Sequence, residues 1–341
     1  HCVSIEHKLG IKASPTAVLQ FGDHGGAIGY LVGEENRGLE YMFVMMNSAR
    51  FAVGMQGIAV AERAYQKAVQ YAKDRVQSRD LAGSPSPVAI IHQPDVKRML
   101  MTMRGHIEAS RALAYYAAAA YDAQHAAPDE AARKSNQAIY EFLVPIVKGF
   151  STEMSIEVAS LGVQVHGGMG FVEETGAAQH MRDARILPIY EGTNGIQALD
   201  FIGRKCLRDN GEGIRQLLVD MSQTIDINTN QTEPSKSLIA GLKVTLGQCQ
   251  SALDHVLKYP QKAPFVAYQF MMLFGNSVAY WQLAILGCAA ARKIQSGDQD
   301  EFLKQKLATA QFYKTQILPR NQSHLAAILA DSEFIDNLML N

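Results

Sequence analysis

Two stretches decide how this chain is read: Val163-Gln-Val-His-Gly-Gly-Met-Gly-Phe171 and Met181-Arg-Asp-Ala-Arg-Ile-Leu-Pro-Ile-Tyr-Glu-Gly-Thr-Asn-Gly-Ile-Gln197. The first has the character of a helix end. Successive glycines stop a helix with a left-handed residue and let a bound group approach backbone amides. It follows a helical run rather than a strand and lacks GxGxxG spacing, so it is not a Rossmann fingerprint. His166 taken alone reads as a hydrogen-bonded structural histidine. In the second stretch, Glu191 stands between Tyr190 and Gly192, just ahead of a helix that Thr193 can cap. A carboxylate on a short loop among apolar neighbours suits a general base. Burial favours its protonated form and glycine admits a substrate to the backbone. Spacing alone leaves open a plainer role, a carboxylate resting against a helix N-terminus.

Working outward, residues 1–33 read as strands, with Ala17–Phe21 short and apolar and glycine turns at Gly25-Gly26 and Gly33. After Gly38 the pattern turns helical. Leu39–Gln77 has no proline and carries Met42, Met46, Ala49, Val53, Ile58 and Tyr65 at helical spacing. Further helices are expected over 94–124, opened by Pro94, then 128–165, 176–184 and from Thr193 onward. Linkers are expected at 209–213 and 228–235, with helices over 213–226, 236–258, 264–293 and 299–330. The fold class is therefore mainly α.

Composition excludes several functions. Lys+Arg number 32 against 33 Asp+Glu, so no global field favours nucleic acid or an anionic membrane. Cys2, Cys206, Cys249 and Cys288 are far apart with no CxxC, which suits a reducing compartment and gives no zinc site; no metal is expected. Ala263–Ala291 carries no charge and is long enough to cross a bilayer. Gln269, Asn276, Ser277 and Gln282 interrupt it, and it reads instead as a buried helix, with no membrane span. No signal-peptide pattern follows His1, and a cytoplasmic location is expected, with a targeting segment upstream left open.

HGGMGF, RDARI and YEGTNGIQ, in this order, together resemble the C-terminal half of the acyl-CoA dehydrogenases. Lys8-Leu-Gly-Ile-Lys-Ala-Ser-Pro-Thr16 and Leu31-Val-Gly-Glu-Glu-Asn-Arg-Gly-Leu39 are similar to the end of that family's β domain and its entry into the helical bundle. The resemblance implies three units: residues 1–36, the end of the middle β domain; 37–207, the C-terminal four-helix bundle; and 208–341, an extra helical domain of a longer branch. Sulfur-bearing acyl chains are among the substrates of similar long-branch members.

The resemblance also implies a chemistry. An acyl-CoA thioester is oxidised to the trans-2-enoyl-CoA, a carboxylate taking the α-proton while the β-hydrogen leaves as hydride to FAD. Glu191 occupies the base position, and its backbone N–H would donate to the thioester carbonyl, as an oxyanion hole does. Some members place the base on the first bundle helix; here that region is Asn47-Ser48-Ala49-Arg50, without an acid. Arg50, Tyr190 and Gly192 would line the substrate. Arg75 would reach the FAD pyrophosphate of a neighbouring subunit, and Gln93 the adenine part. Gln164, Gly167 and Gly168 would line the adjacent subunit's FAD, and Thr193 would contact the pyrophosphate. Three departures stand out: Asn47 where many members have Asp, Gln77-Ser78 after Arg75, and Gly195 in place of a polar residue. Arg50 and Arg75 are also readable as ion-pair partners, and Gln93 as a helix start. The partners implied are acyl-CoA, an electron-transfer flavoprotein and further copies of the chain as a homodimer or homotetramer. An acyl-CoA oxidase is an alternative. A DNA-associated relative is disfavoured, because residues 207–341 hold 12 Lys+Arg and 12 Asp+Glu. The family's N-terminal helical domain and its flavin-contacting β loop have no counterpart here, so these residues alone are expected to bind FAD poorly and to be inactive.

Overall fold

The structure, a computed structural model, describes residues 1–228 and 232–330. Residues 229–231, inside the expected linker 228–235, and 331–341, the end of the third expected unit, lie outside the described residues. The expected mainly α architecture is observed. Three long rods, α1 (Gly38–Asp74), α2 (Pro94–Ala126) and α3 (Glu130–His166), run within a few residues of the spans read from sequence. Pro94 sits in the first turn of α2, where its missing N–H leaves no bond unmade. Asp129 caps α3 by accepting the Ala132 N–H at 2.7 Å. Small residues let α1 and α3 approach closely. At Gly54 a Cβ would stand 2.8 Å from the Val147 carbonyl oxygen, and Ala61, Ala64, Ala68 and Ala72 continue the buried seam. Two short helices, α4 (Ala177–Ala184) and α5 (Asn194–Ile202), pack across α3 and close this unit.

The N-terminal segment is less regular than expected. Only β1 (Cys2–Ile5) and β2 (Ala17–Leu19) pair, antiparallel, with Ile5 opposite Ala17 and Cys2 opposite Leu19. Val3, Ile5, Val18 and Leu19 are all exposed. A lone two-stranded ribbon has no packed face to order the chain around it. The segment is tied to the helices mainly through the Ile11 N–H, which donates to the Asp183 carboxylate at 2.6 Å.

Beyond Leu207 follow α6 (Glu212–Ile227), α7 (Ser235–Lys258), α8 (Ala263–Gln295), α9 (Glu301–Phe312) and α10 (Arg320–Leu329). The helix expected over 299–330 is broken in two. A wide turn at Tyr313–Ile317 precedes Pro319, which cannot donate to the turn before it. α8, uncharged from Ala263 to Ala291, is long and apolar enough to cross a membrane by length and composition, and 78% of its most apolar window is buried among neighbouring helices. Its polar interruptions are used inside the protein. Asn276 donates to Asn321 at 2.8 Å, and Ser277 and Thr245 share a 2.7 Å bond while Asn321 donates to both. Buried polar atoms are thereby satisfied, as burial demands. One contiguous apolar core runs from Ile58 and Met103 through Phe142 and Phe201 to Phe274 and Ile328, so the two groups of helices share it.

A charged clasp joins α10 to α3. Arg320 donates to Glu157 through two parallel bonds of 2.6 and 2.7 Å, with His106 beside them at 3.5 Å. Burial alone would raise the Glu157 carboxyl, but the hydrogen bonds from Arg320 and His106 outweigh it and hold the group well below the usual carboxylate range. A depressed folded-state carboxyl contributes stability above its unfolded pKa and loses it as pH falls through that range. Glu157→Gln is therefore expected to cost about 1 kcal/mol at neutral pH, because both side chains are more than a third exposed. It should also flatten the loss of stability between about pH 5 and pH 2. Denaturant titrations across that window check it; identical slopes in parent and variant would contradict it.

Candidate active site

The turn between α4 and α5 is built from a proline, two left-handed residues and a cap. Glu191 has φ 55° and Gly192 φ 83°. At Gly192 a Cβ would stand 2.9 Å from Gln197 Nε2, the end of a side chain that can shift, so it is the left-handed backbone that calls for glycine. The Asn194 N–H returns to the Pro188 carbonyl at 2.9 Å, and Thr193 caps α5 by accepting the Ile196 N–H at 3.3 Å. Chain reversal leaves Glu191 at the apex. Its carboxylate makes no hydrogen bond or ion pair among the described residues, and its backbone N–H has no protein acceptor among them. The burial expected for this side chain is not observed: Glu191 is exposed, because no element among the described residues packs over the apex.

Below the apex the environment changes. Tyr190 is half-buried and donates to Gln56 on α1; burial, and then the Glu191 charge, raise its phenol. Arg50 is buried and pairs with Asp200 on α5 at 3.5 Å, while Arg204 engages the other carboxylate oxygen. Of the two readings of Arg50, the interhelical ion pair is observed, with its Nη2 3.8 Å from where a Gly192 Cβ would be. Lys148 of α3 is fully buried and donates to the Gly192 carbonyl at 2.8 Å and to Asn194 Oδ1 at 2.9 Å. Burial pulls its ammonium down to about 8, partly countered by Glu153 and Glu191 and reinforced by Arg50. The sequence reading missed Lys148, Asn194, Gln197 and Asp200. A signal existed: Lys148 is the one charge in Phe142–Ser151, and lysine in an apolar run is rarely buried without a partner.

The remaining sequence-derived positions gather elsewhere. At the far end of α1, Arg75, Gln77, Gln164, His166, Gly167 and Gly168 line a groove of about 750 Å³. Arg75 is exposed, its guanidinium donating, among the described residues, only to the Val76 carbonyl and to Gln77 Oε1. Gly167 has φ 59° and ends α3; neither it nor Gly168 has an atom within 4 Å of where a Cβ would be. Gln93 flanks this groove and donates to the Arg79 carbonyl at 3.2 Å. His166 is structural, bonded to the Gly162 carbonyl at 2.7 Å and stacked on Tyr71. Arg50 lies in α1 and Arg75 is the residue just past its C-terminal end, 25 residues on, roughly 37 Å away at 1.5 Å per residue. Thus Glu191, Tyr190, Gly192, Thr193 and Arg50 form one cluster, and Arg75, Gln93, Gln164, Gly167 and Gly168 another. Among the described residues no group of three His, Cys, Asp or Glu could hold a metal ion, and no disulfide links the cysteines.

A mainly helical chain with a carboxylate at the apex of one turn and an open, glycine-backed groove at the far end of the same bundle matches known families. The model of the acyl-CoA dehydrogenase C-terminal domain matches residues 36–207, and one described as acetyl-CoA dehydrogenase C-terminal like matches 217–336. The chain belongs to the acyl-CoA dehydrogenase family. It is 51% identical, over 93% of its length, to 3-methylmercaptopropionyl-CoA dehydrogenase of Ruegeria pomeroyi, covering 54% of that protein. It is 34% identical to a broad-specificity linear acyl-CoA dehydrogenase of Mycobacterium tuberculosis, covering 93% of this chain and 55% of that one. A Bacillus anthracis acyl-CoA dehydrogenase solved with FAD shares the fold at TM-score 0.75 and 20% identity, over 99% of this chain and 58% of that one. The chain spans about half the length of the curated relatives it matches.

Proposed function

We propose that this chain serves the FAD-dependent α,β-dehydrogenation of an acyl-CoA thioester to the trans-2-enoyl-CoA, with Glu191 as the base. The observation that carries the reading is the turn itself. It presents an uncommitted carboxylate and an uncommitted backbone N–H from the same residue, beside a glycine that leaves the approach open. A base must reach an α-carbon while a donor reaches the adjoining carbonyl oxygen, and one residue supplies both. The donor favours the negative charge that grows on that oxygen as the proton leaves. Once an acyl chain covers the apex, water is excluded and the carboxylate loses competing hydrogen bonds.

Bound FAD supplies the acceptor for the hydride leaving the β-carbon. The residues present fit its anionic portion: Arg75 offers a cation with free donors, and Gly167 and Gly168 offer bare backbone beside it. Thr193, at the other cluster, keeps an exposed hydroxyl. The separation of roughly 37 Å is longer than one dinucleotide, which supports a site completed by a second copy of the chain. In this reading residues 1–36 close the β domain, 37–207 form the catalytic bundle, 208–341 are the additional helical domain, whose helices α6 to α10 pack behind the bundle with α8 as a core helix, and an electron-transfer flavoprotein takes the electrons. Because these residues alone are expected to bind FAD poorly, the test is the visible spectrum of flavin-loaded protein in which the family's N-terminal helical domain and flavin-contacting β loop accompany this chain, with a panel of acyl-CoAs that includes 3-methylmercaptopropionyl-CoA. Anaerobic bleaching by one of them is the expected result. Bound flavin that no acyl-CoA bleaches would sink the reading.

A further inference from the structure

Glu191 has a left-handed backbone, which costs a non-glycine residue on the order of 1 kcal/mol or more. A turn with two such residues in succession has looser alternatives, so something must select this one. The Gly192 carbonyl points inward, away from solvent, and an inward carbonyl needs a donor. It receives the Lys148 ammonium at 2.8 Å, and Gln197 Nε2 more weakly at 3.4 Å. The ammonium is itself fastened. Its second acceptor, Asn194 Oδ1, belongs to the first residue of α5, and the Asn194 amide donates to Thr152 Oγ1 at 2.9 Å and Glu153 Oε1 at 2.8 Å. Thr152 in turn donates to the Lys148 carbonyl at 2.8 Å. The loop carbonyl, the start of α5 and one turn of α3 thus close a ring of hydrogen bonds.

A neutral donor would satisfy the same carbonyl more cheaply, since burying an ammonium costs several kcal/mol before its partners are counted. The charge faces Glu153 on its own helix, Glu191 on the turn and Arg50 on α1, itself paired to Asp200. We infer that Lys148 is the positioning residue of the Glu191–Gly192 turn: from the rigid middle of α3 it holds the Gly192 carbonyl. It thereby fixes where the Glu191 carboxylate and N–H stand. The inference rests on Glu191 being the base, but its structural half does not need catalysis to be observed.

Lys148→Met, of similar length and without a donor, tests it in two ways. In this chain, exchange of the Tyr190 and Asn194 amides, bonded to the Ile186 and Pro188 carbonyls, should accelerate, while Val158 and Ala159 in the core of α3 keep parental exchange. In the flavin-loaded enzyme, kcat should fall about 100-fold with KM for acyl-CoA within about two-fold, the signature of a misplaced reacting group. Lys148→Gln, which retains an N–H, should recover about ten-fold of that loss. Parental exchange of the Tyr190 and Asn194 amides in Lys148→Met, or a rise in KM with kcat unchanged, would overturn the inference. Should Lys148→Met fail to fold, Asn194→Ser removes the ammonium's second acceptor; it should speed exchange of the amides at positions 190 and 194, and parental exchange there overturns the inference equally. A parent enzyme that no acyl-CoA bleaches would sink the proposed function while leaving the exchange measurements to judge the clamp.

Discussion

Glu191→Gln in the flavin-loaded enzyme is expected to lower kcat for acyl-CoA dehydrogenation by roughly 1,000-fold, within the range a positioned general base contributes, while acyl-CoA still binds. The two effects separate because the residue offers two groups. Glutamine keeps the backbone N–H and fills nearly the same volume, so a thioester carbonyl can still be held; it has no lone pair basic enough to take an α-proton. The backbone strain at φ 55° is also unchanged, so the variant does not reshape the turn. Among the described residues no second acid stands ready nearby. Glu153 is tied to Asn194, Asp200 lies between Arg50 and Arg204, and the segment Asn47–Arg50 has no carboxylate. Anaerobic stopped-flow bleaching of the flavin reads the chemical step directly. A variant that bleaches at the parental rate would move the base elsewhere; one whose acyl-CoA binding collapses as well would make Glu191 a binding group.

The parts of the molecule that could be read from sequence are those with local causes. The long helices follow from 3.6-residue periodicity, from Pro94 at a first turn and from glycines after His166, and Thr193 caps α5 where its position suggested. What lies between helices was not legible in the same way. Lys148 is 43 residues from Glu191, and no spacing rule connects them; only the packing of α3 beneath the turn does. Arg50 was placed beside the site, but its commitment to Asp200 depends on how α1 meets α5. Fewer strands form over residues 1–33 than expected because a short apolar run between glycine turns says which residues could pair, not whether a third element covers them. Likewise the polar residues of α8 looked like interruptions in a span and are instead the acceptors and donors of a buried network with α7 and α10.

The second large effect concerns stability. Phe201→Ala is expected to cost about 4 kcal/mol, the usual range for deleting a buried aromatic side chain. Phe201 is fully buried in the last turn of α5, and its ring meets Phe142 of α3 at 5.1 Å, Phe270 of α8 at 5.5 Å and Phe274 at 5.6 Å. Those partners are held by long helices on opposite sides of the ring, so the space cannot collapse by moving one loop, and the cavity persists. Because the same ring joins both groups of helices, it also reports on how they unfold. A shared core makes the chain melt in one transition, and Phe201→Ala should shift the whole denaturation curve with little change in slope. Two separable transitions in the parent, only one of them moved by the substitution, would mean that the helices beyond Leu207 form a core of their own. The contiguous packing of Phe142, Phe201 and Phe274 argues against that outcome. It also ties the stability of the Glu191–Gly192 turn to the far helices, since Asp200, the partner of Arg50, is the residue beside Phe201.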